Sequence, residues 1–108
     1  MRSDRESVEL FLKDVRHAID QGNVDFIPRR KNIQMCINLN IKTEEAKNYI
    51  KNLTFNNYIS GPDEDRDKKD NAPFWKFKLR IGENVIYIKI KIRELNGELA
   101  IVSFHEDE

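Results

Sequence analysis

The sequence predicts an α+β protein in which N-terminal helices pack on one face of a C-terminal antiparallel sheet. Three observations carry this. Apolar residues recur at helical spacing through the first half of the chain, and from Trp75 onward they alternate with polar ones. Between the halves, residues 60–73 hold no large apolar side chain. At 108 residues the chain has single-domain length. Neither half could bury a core alone, so 1–108 is read as one domain.

The first helix follows from Val8, Phe11, Leu12, Val15 and Ile19 at helical spacing. Ser3 with Glu6 three residues on is a capping-box start, and Gly22 is a natural stop. His17 falls on the helix surface. Val24 to Ile27 is a short extended stretch closed by Pro28. Residues 29–39 read as a second helix with Ile33, Cys36 and Ile37 inward. Thr43 is the expected N-cap of a third helix running to about Leu53, with Ala46, Tyr49, Ile50 and Leu53 on one face. Glu44 and Glu45 occupy its first turn, where the helix dipole favours acids. Residues 60–73 form a loop.

Strands follow. Trp75, Phe77, Leu79 and Ile81 alternate with Lys76, Lys78 and Arg80, and Ile86, Ile88, Ile90 and Ile92 alternate with Tyr87, Lys89, Lys91 and Arg93. Such period-two patterns bury one sheet face. Leu95-Asn96-Gly97 turns the chain into a third strand, 98–105. A three-residue turn with Gly97 left-handed pairs Glu94 with Glu98. It aligns Ile88 with Phe104, Ile90 with Val102 and Ile92 with Ala100 on the buried face. On the other face it sets Tyr87 opposite His105, Lys89 opposite Ser103 and Lys91 opposite Ile101. The two-residue alternative would strand Phe104 beside Lys89 and forfeit much of the about 1.5–3 kcal/mol its burial is worth.

Lys+Arg 19 against Asp+Glu 19 gives a formal net charge of zero, which argues against bulk polyanion binding. The charge is nonetheless segregated. Residues 74–93 hold six basic side chains and one acidic, whereas 94–108 hold five acidic and no Lys or Arg. A single cysteine, Cys36, precludes an internal disulfide and multi-cysteine zinc patterns. Cys36 reads as a packed small hydrophobe and Trp75 as a core residue. A charged N-terminus without an apolar region and the lack of a long apolar run point to the reducing cytoplasm, away from membranes.

Cations, Tyr87 and His105 on one sheet face suit RNA cleavage through the 2′-hydroxyl without metal or other cofactor. That chemistry needs a base, an acid and cations for the phosphorane. The plainer reading is that alternating Lys and Arg solvate the outer face of a half-buried sheet. In the loop, Asp63, Asp65 and Asp67 occupy alternate positions as in a calcium loop. The glycine position, however, holds Lys68 and the terminal glutamate position holds Phe74.

Tyr58, Gly61-Pro62, Asp65-Arg66-Asp67, Trp75, Tyr87-Ile88-Lys89 and the closing Val102-Ser103-Phe104-His105 resemble, in that order, the MqsR family of type II toxins. The resemblance is strongest over residues 58–105; over the N-terminal helices it rests on their order and on Arg29-Arg30-Lys31-Asn32. It implies a RelE-like fold, metal-independent mRNA endoribonuclease activity on free or ribosome-associated mRNA, and neutralisation by a cognate antitoxin protein. Tyr87 matches the family's strand tyrosine. Lys76 falls where better-known members carry glutamine, His105 where they carry lysine, and Ile59 follows Tyr58 where they have lysine. A terminal histidine is similar to that of other RelE-like toxins. The expected catalytic group is His105, Tyr87, Lys89, Lys76 and Arg66, with Lys91, Lys78, Arg80 and Arg93 along the RNA. The alternatives are a non-catalytic RNA-binding module on the same face, or an interaction domain recruiting a protein by strand addition.

Overall fold

The computed structural model describes residues 2–66 and 70–107. In chain order these form α1 (Arg5–Asp20), β1 (Val24–Phe26), α2 (Arg30–Leu39), α3 (Thr43–Lys51), a 3₁₀ turn (Phe55–Asn57), β2 (Tyr58–Asp63), β3 (Phe74–Ile81), β4 (Asn84–Ile92) and β5 (Leu99–Glu106). The strands make one five-stranded sheet in the order β1-β5-β4-β3-β2. Its apolar face meets α1, and α3 packs behind. Val8, Phe11, Leu12, Val15, Ala46 and Ile50 join Phe77, Ile86, Ile88, Ile90 and Phe104 in one core. Phe11 stacks on Trp75 with ring centroids 4.4 Å apart, placing Trp75 against that core. Among the described residues, no helix is long and apolar enough to cross a membrane.

The helices-on-sheet arrangement is as expected, but the sheet is mixed. β1 runs parallel to β5 at one edge, pairing Val24 with Leu99 and Phe26 with Ile101. The long excursion through α2, α3, β2, β3 and β4 between the two strands supplies the crossover that parallel pairing needs. β2 occupies the opposite edge, so residues 60–63 are strand rather than loop. Pro62 is tolerated because an edge strand has an unpaired side. Gly61 has φ +125, and a Cβ there would meet Phe74 O and Trp75 Cα at 2.9 Å, so the backbones approach too closely for a side chain.

Helix boundaries shift by one residue. Asp4, not Ser3, is the N-cap of α1, its carboxylate accepting from the Ser7 amide at 2.9 Å. Ser3 instead ties the chain start to β2, donating from its amide to the Tyr58 hydroxyl at 2.7 Å and from Oγ to the Gly61 carbonyl at 2.8 Å. Lys42 rather than Thr43 occupies the N-cap position of α3, its backbone amide donating to Glu45 Oε1 at 3.3 Å. A larger correction concerns α2. Asn32, Met35 and Cys36 are its buried residues, while Ile33 and Ile37 are exposed.

The cause lies at the sheet edge. β1 stops at Phe26, leaving the second half of β5 without a strand neighbour on that side. Asn32 takes that place. Its Nδ2 donates to the Val102 carbonyl and the Ile27 carbonyl, each at 2.9 Å, and its Oδ1 accepts from the Phe104 amide at 3.0 Å. The side-chain amide thus pairs with β5 as backbone would, and α2 rotates to bring Asn32 inward.

The β4–β5 register is as expected for Ile88–Phe104, Tyr87–His105 and Lys89–Ser103. A bulge then skips Val102, so Ile90 pairs with Ile101, Lys91 with Ala100 and Ile92 with Leu99, one residue off the expected pairing. The turn is one residue longer as well. The Arg93 amide donates to the Glu98 carbonyl at 2.9 Å, leaving Glu94 outside the ladder, while Gly97 is left-handed as anticipated (φ +68). The bulge keeps Leu99, Ala100 and Ile101 all buried.

Candidate functional site

The sheet face turned away from α1 carries the polar set, because pleating sends alternate residues there. Across it run two rows. One contains Lys76, Lys89 and Ser103 on β3, β4 and β5; the next contains Lys78, Tyr87 and His105. Rows two residues apart are separated by about 7 Å. The Tyr87 and His105 rings stand 5.5 Å apart at 39°. His105 Nδ1 lies 3.0 Å from the Glu106 carbonyl oxygen. A carbonyl only accepts, so this contact puts the neutral ring's proton on Nδ1 and leaves the Nε2 lone pair available.

The first row is extended by a residue from outside the sheet. Arg29, just before α2, donates from Nη1 to the Val102 carbonyl and to Ser103 Oγ, both at 3.1 Å. The bulge at Val102 turns that carbonyl toward the guanidinium. The role of Arg29 was not foreseen from the sequence; the available signal was the basic run 29–31 directly after Pro28.

Electrostatics sort the cations. Lys76 lies 3.6 Å from Asp63, Lys78 3.0 Å from Asp107, and Arg93 pairs with Asp25 at 3.0 Å and with Glu98. Lys91 is buried, its Nζ 2.6 Å from Asp65 and 3.8 Å from Asp70, with the Asp70 carbonyl at 3.2 Å. Asp70 in turn accepts from the amides of Ala72, Glu94 and Leu95, with Ala72 the main influence holding its carboxyl below the ordinary range. Lys91 and Arg93 therefore act as internal clamps, one fastening Asp65 and Asp70 to the sheet and the other joining β1 to Glu98 just before β5. Neither is presented along the face as expected for RNA contact.

Lys89 differs. It is half-buried, its ammonium sits 4.2 Å from the Phe74 ring centroid, and among the described residues it forms no ion pair. Burial, reinforced by the positive charges of Lys76 and Arg29 and only partly opposed by Asp65 and Asp63, holds its pKa below the ordinary lysine value. Phe74 is a further residue that the alternation pattern passed over, since Trp75 is the first apolar residue of the buried face.

Two concavities border these rows, one at Lys89 and one at His105. One, about 360 Å³, is lined by Phe74, Lys89, Lys91, Asp65 and Val102. The other, about 340 Å³, lies between α2 and the end of β5, with His105 on its wall. Arg80 is exposed and one row further out, opposite Val85. Arg66 is exposed in the loop, and among the described residues no hydrogen bond or ion pair joins it to Tyr87, Lys89 or His105. Of the loop aspartates, Asp63 faces Lys76, Asp65 faces Lys91, and Asp67 lies outside the described residues. No group of three or more His, Cys, Asp or Glu among the described residues converges as a metal site. Cys36 is buried, and burial pushes its thiol pKa up, away from reactivity. No protein-family model, curated protein or solved structure matches the chain.

Proposed function

We propose that this protein is a metal-independent endoribonuclease acting on mRNA, with a RelE-like fold, and the toxin half of a bacterial toxin–antitoxin pair. The observation that carries the reading is Lys89: a half-buried lysine with a loosened proton and no ion pair among the described residues, one row from the Tyr87–His105 pair. Burying this cation is costly and Asp65 and Asp63 offset only part of that cost, so an external anion is the natural complement. The ordered resemblance to MqsR-family toxins over residues 58–105 supports the same reading, and cytoplasmic mRNA and a cognate antitoxin are the partners it implies.

In the reaction, His105 Nε2 takes the proton of the 2′-hydroxyl. The 2′-oxygen forms a bond to phosphorus, and the bond from phosphorus to the 5′-oxygen breaks. Lys89 and Arg29 stabilise the developing charge, and the Lys89 ammonium supplies the proton to the departing 5′-oxygen. The products are a 2′,3′-cyclic phosphate and a 5′-hydroxyl. Tyr87 orients the phosphate or stacks on a neighbouring base. Lys76 and Lys78, each already holding a carboxylate, border the site, and Arg80 extends its margin. Arg66, exposed in the loop, takes no step in this scheme.

The test is incubation with single-stranded mRNA in chelator. Fragments ending in cyclic phosphate are expected, with loss on the order of 10²–10³-fold in Lys89→Met and in His105→Ala, the scale of removing one electrostatic or proton-transfer group. RNA left intact with or without ribosomes overturns the enzymatic reading. Binding without cleavage would make the chain an RNA-binding module on the same face.

A further inference from the structure

Beside the phosphate-facing rows lies the concavity between α2 and the end of β5. Its volume, about 340 Å³, is at the small end of ligand sites and suits one planar ring system. Met35 is its buried apolar residue, His105 lines it from β5, Gln34 and Asn38 lie one turn apart on α2, and the charged Arg30, Lys31 and Glu106 complete the lining. Gln34 Nε2 donates to Asn38 Oδ1 at 2.9 Å. That bond uses one donor and one acceptor of the pair. It leaves Gln34 Oε1, an acceptor, and Asn38 Nδ2, a donor, without partners among the described residues.

We infer that this concavity is a nucleobase subsite, reading the base next to the phosphate held by Lys89, Arg29 and His105. A nucleobase matches its chemistry: apolar ring faces for Met35 and the His105 ring, and an edge with adjacent donor and acceptor for the amide pair. Side-chain amides match adenine best, through its N6 amino group and N7. Unstacked bases of single-stranded RNA are read in this way, by stacking and edge hydrogen bonds. His105 links the two functions, since it stands at once on the wall of the concavity and beside Tyr87 on the sheet face. The inference rests on the ribonuclease reading for its substrate, but its binding chemistry is testable separately.

Two measurements test it. In the first, AMP, GMP, CMP and UMP are titrated into the isotope-labelled full chain while the side-chain amide resonances of Gln34 and Asn38 are followed. AMP is expected to shift both saturably and to bind on the order of tenfold tighter than UMP. Gln34→Leu/Asn38→Leu, a change on the exposed side of α2, should erase that difference. In the second, cleavage sites are mapped on a random RNA pool. The parent should prefer adenine at one position flanking the cut, and the double variant should lose the preference at that position alone. Shifts that do not depend on the base, or a preference unchanged in the double variant, overturn the subsite even when RNA is cut. AMP-selective binding at Gln34 and Asn38 without any cleavage supports the subsite and overturns the ribonuclease reading instead.

Discussion

Lys89 shows most clearly how a side chain's role is set by its neighbours. Lys76, Lys78, Lys91 and Arg93 look equivalent to it in the alternating pattern, yet each of them finds a carboxylate. With its charged form disfavoured in the folded chain, Lys89 carries a stability penalty in full below its folded pKa. As pH rises toward the ordinary lysine value of 10.5, the folded chain sheds this proton before the unfolded chain does. The unfolded state then binds more protons, and stability contributed by this group increases with pH. Lys89→Met should therefore be at least as stable as the parent near neutral pH, should lack that alkaline rise, and should lose RNA cleavage. Urea midpoints across the alkaline range check it, and a large destabilisation at neutral pH would show instead that the Phe74–Lys89 contact is structural. Tyr87, Lys89 and His105 were legible in the sequence because they follow from strand alternation. Arg29 was not, since it reaches Ser103 across 74 positions of chain.

At the scale of elements, the least readable feature was the edge of β5. The apolar residues of α2 point to Ile33 and Ile37 as its inner face, and hydrophobicity alone gives no reason to bury Asn32. The strand edge decides otherwise, because unpaired β5 backbone inside the protein costs more than leaving two isoleucines half in water. Asn32→Leu should leave the Phe104 amide without its partner, at a cost of about 1–3 kcal/mol, while the Ile27 and Val102 carbonyls keep the amide and guanidinium of Arg29. The expected result is a loss of about 1–3 kcal/mol in urea unfolding, with the Phe104 amide becoming fast in hydrogen exchange; retained protection there would refute the edge-strand role. The bulge at Val102 belongs to the same edge. Its carbonyl serves both Asn32 and Arg29, so the irregularity that shifts the predicted register also connects α2 to the site.

For the whole molecule, the neutral total takes on a different meaning. Along the chain, basic 74–93 stands against acidic 94–108, but in space much of the compensation comes from elsewhere: Asp25 on β1, Asp63 on β2, and Asp65 and Asp70 in the loop. The sheet face is therefore a narrow cationic site, centred on Lys89 and Arg29, within a largely neutralised surface. RNA binding should accordingly show a shallow salt dependence, with log K falling against log salt with a slope of about −1 to −3, as for two to four phosphate contacts at about −0.7 each. A much steeper slope would mean that the paired lysines open to RNA, and would return the whole basic face to the interface. By itself the sequence determined the α+β class, the apolar face of the sheet, the position of α1 and the pairing that sets Tyr87 beside His105. These follow from local periodicity and from burial of large side chains, both readable over short stretches. Tertiary structure alone decided the parallel β1, the edge strand β2, the inward turn of Asn32 and which cations are neutralised. Those depend on partners far apart in the chain, and one-dimensional patterns carry no information about which distant carboxylate or carbonyl a side chain will meet.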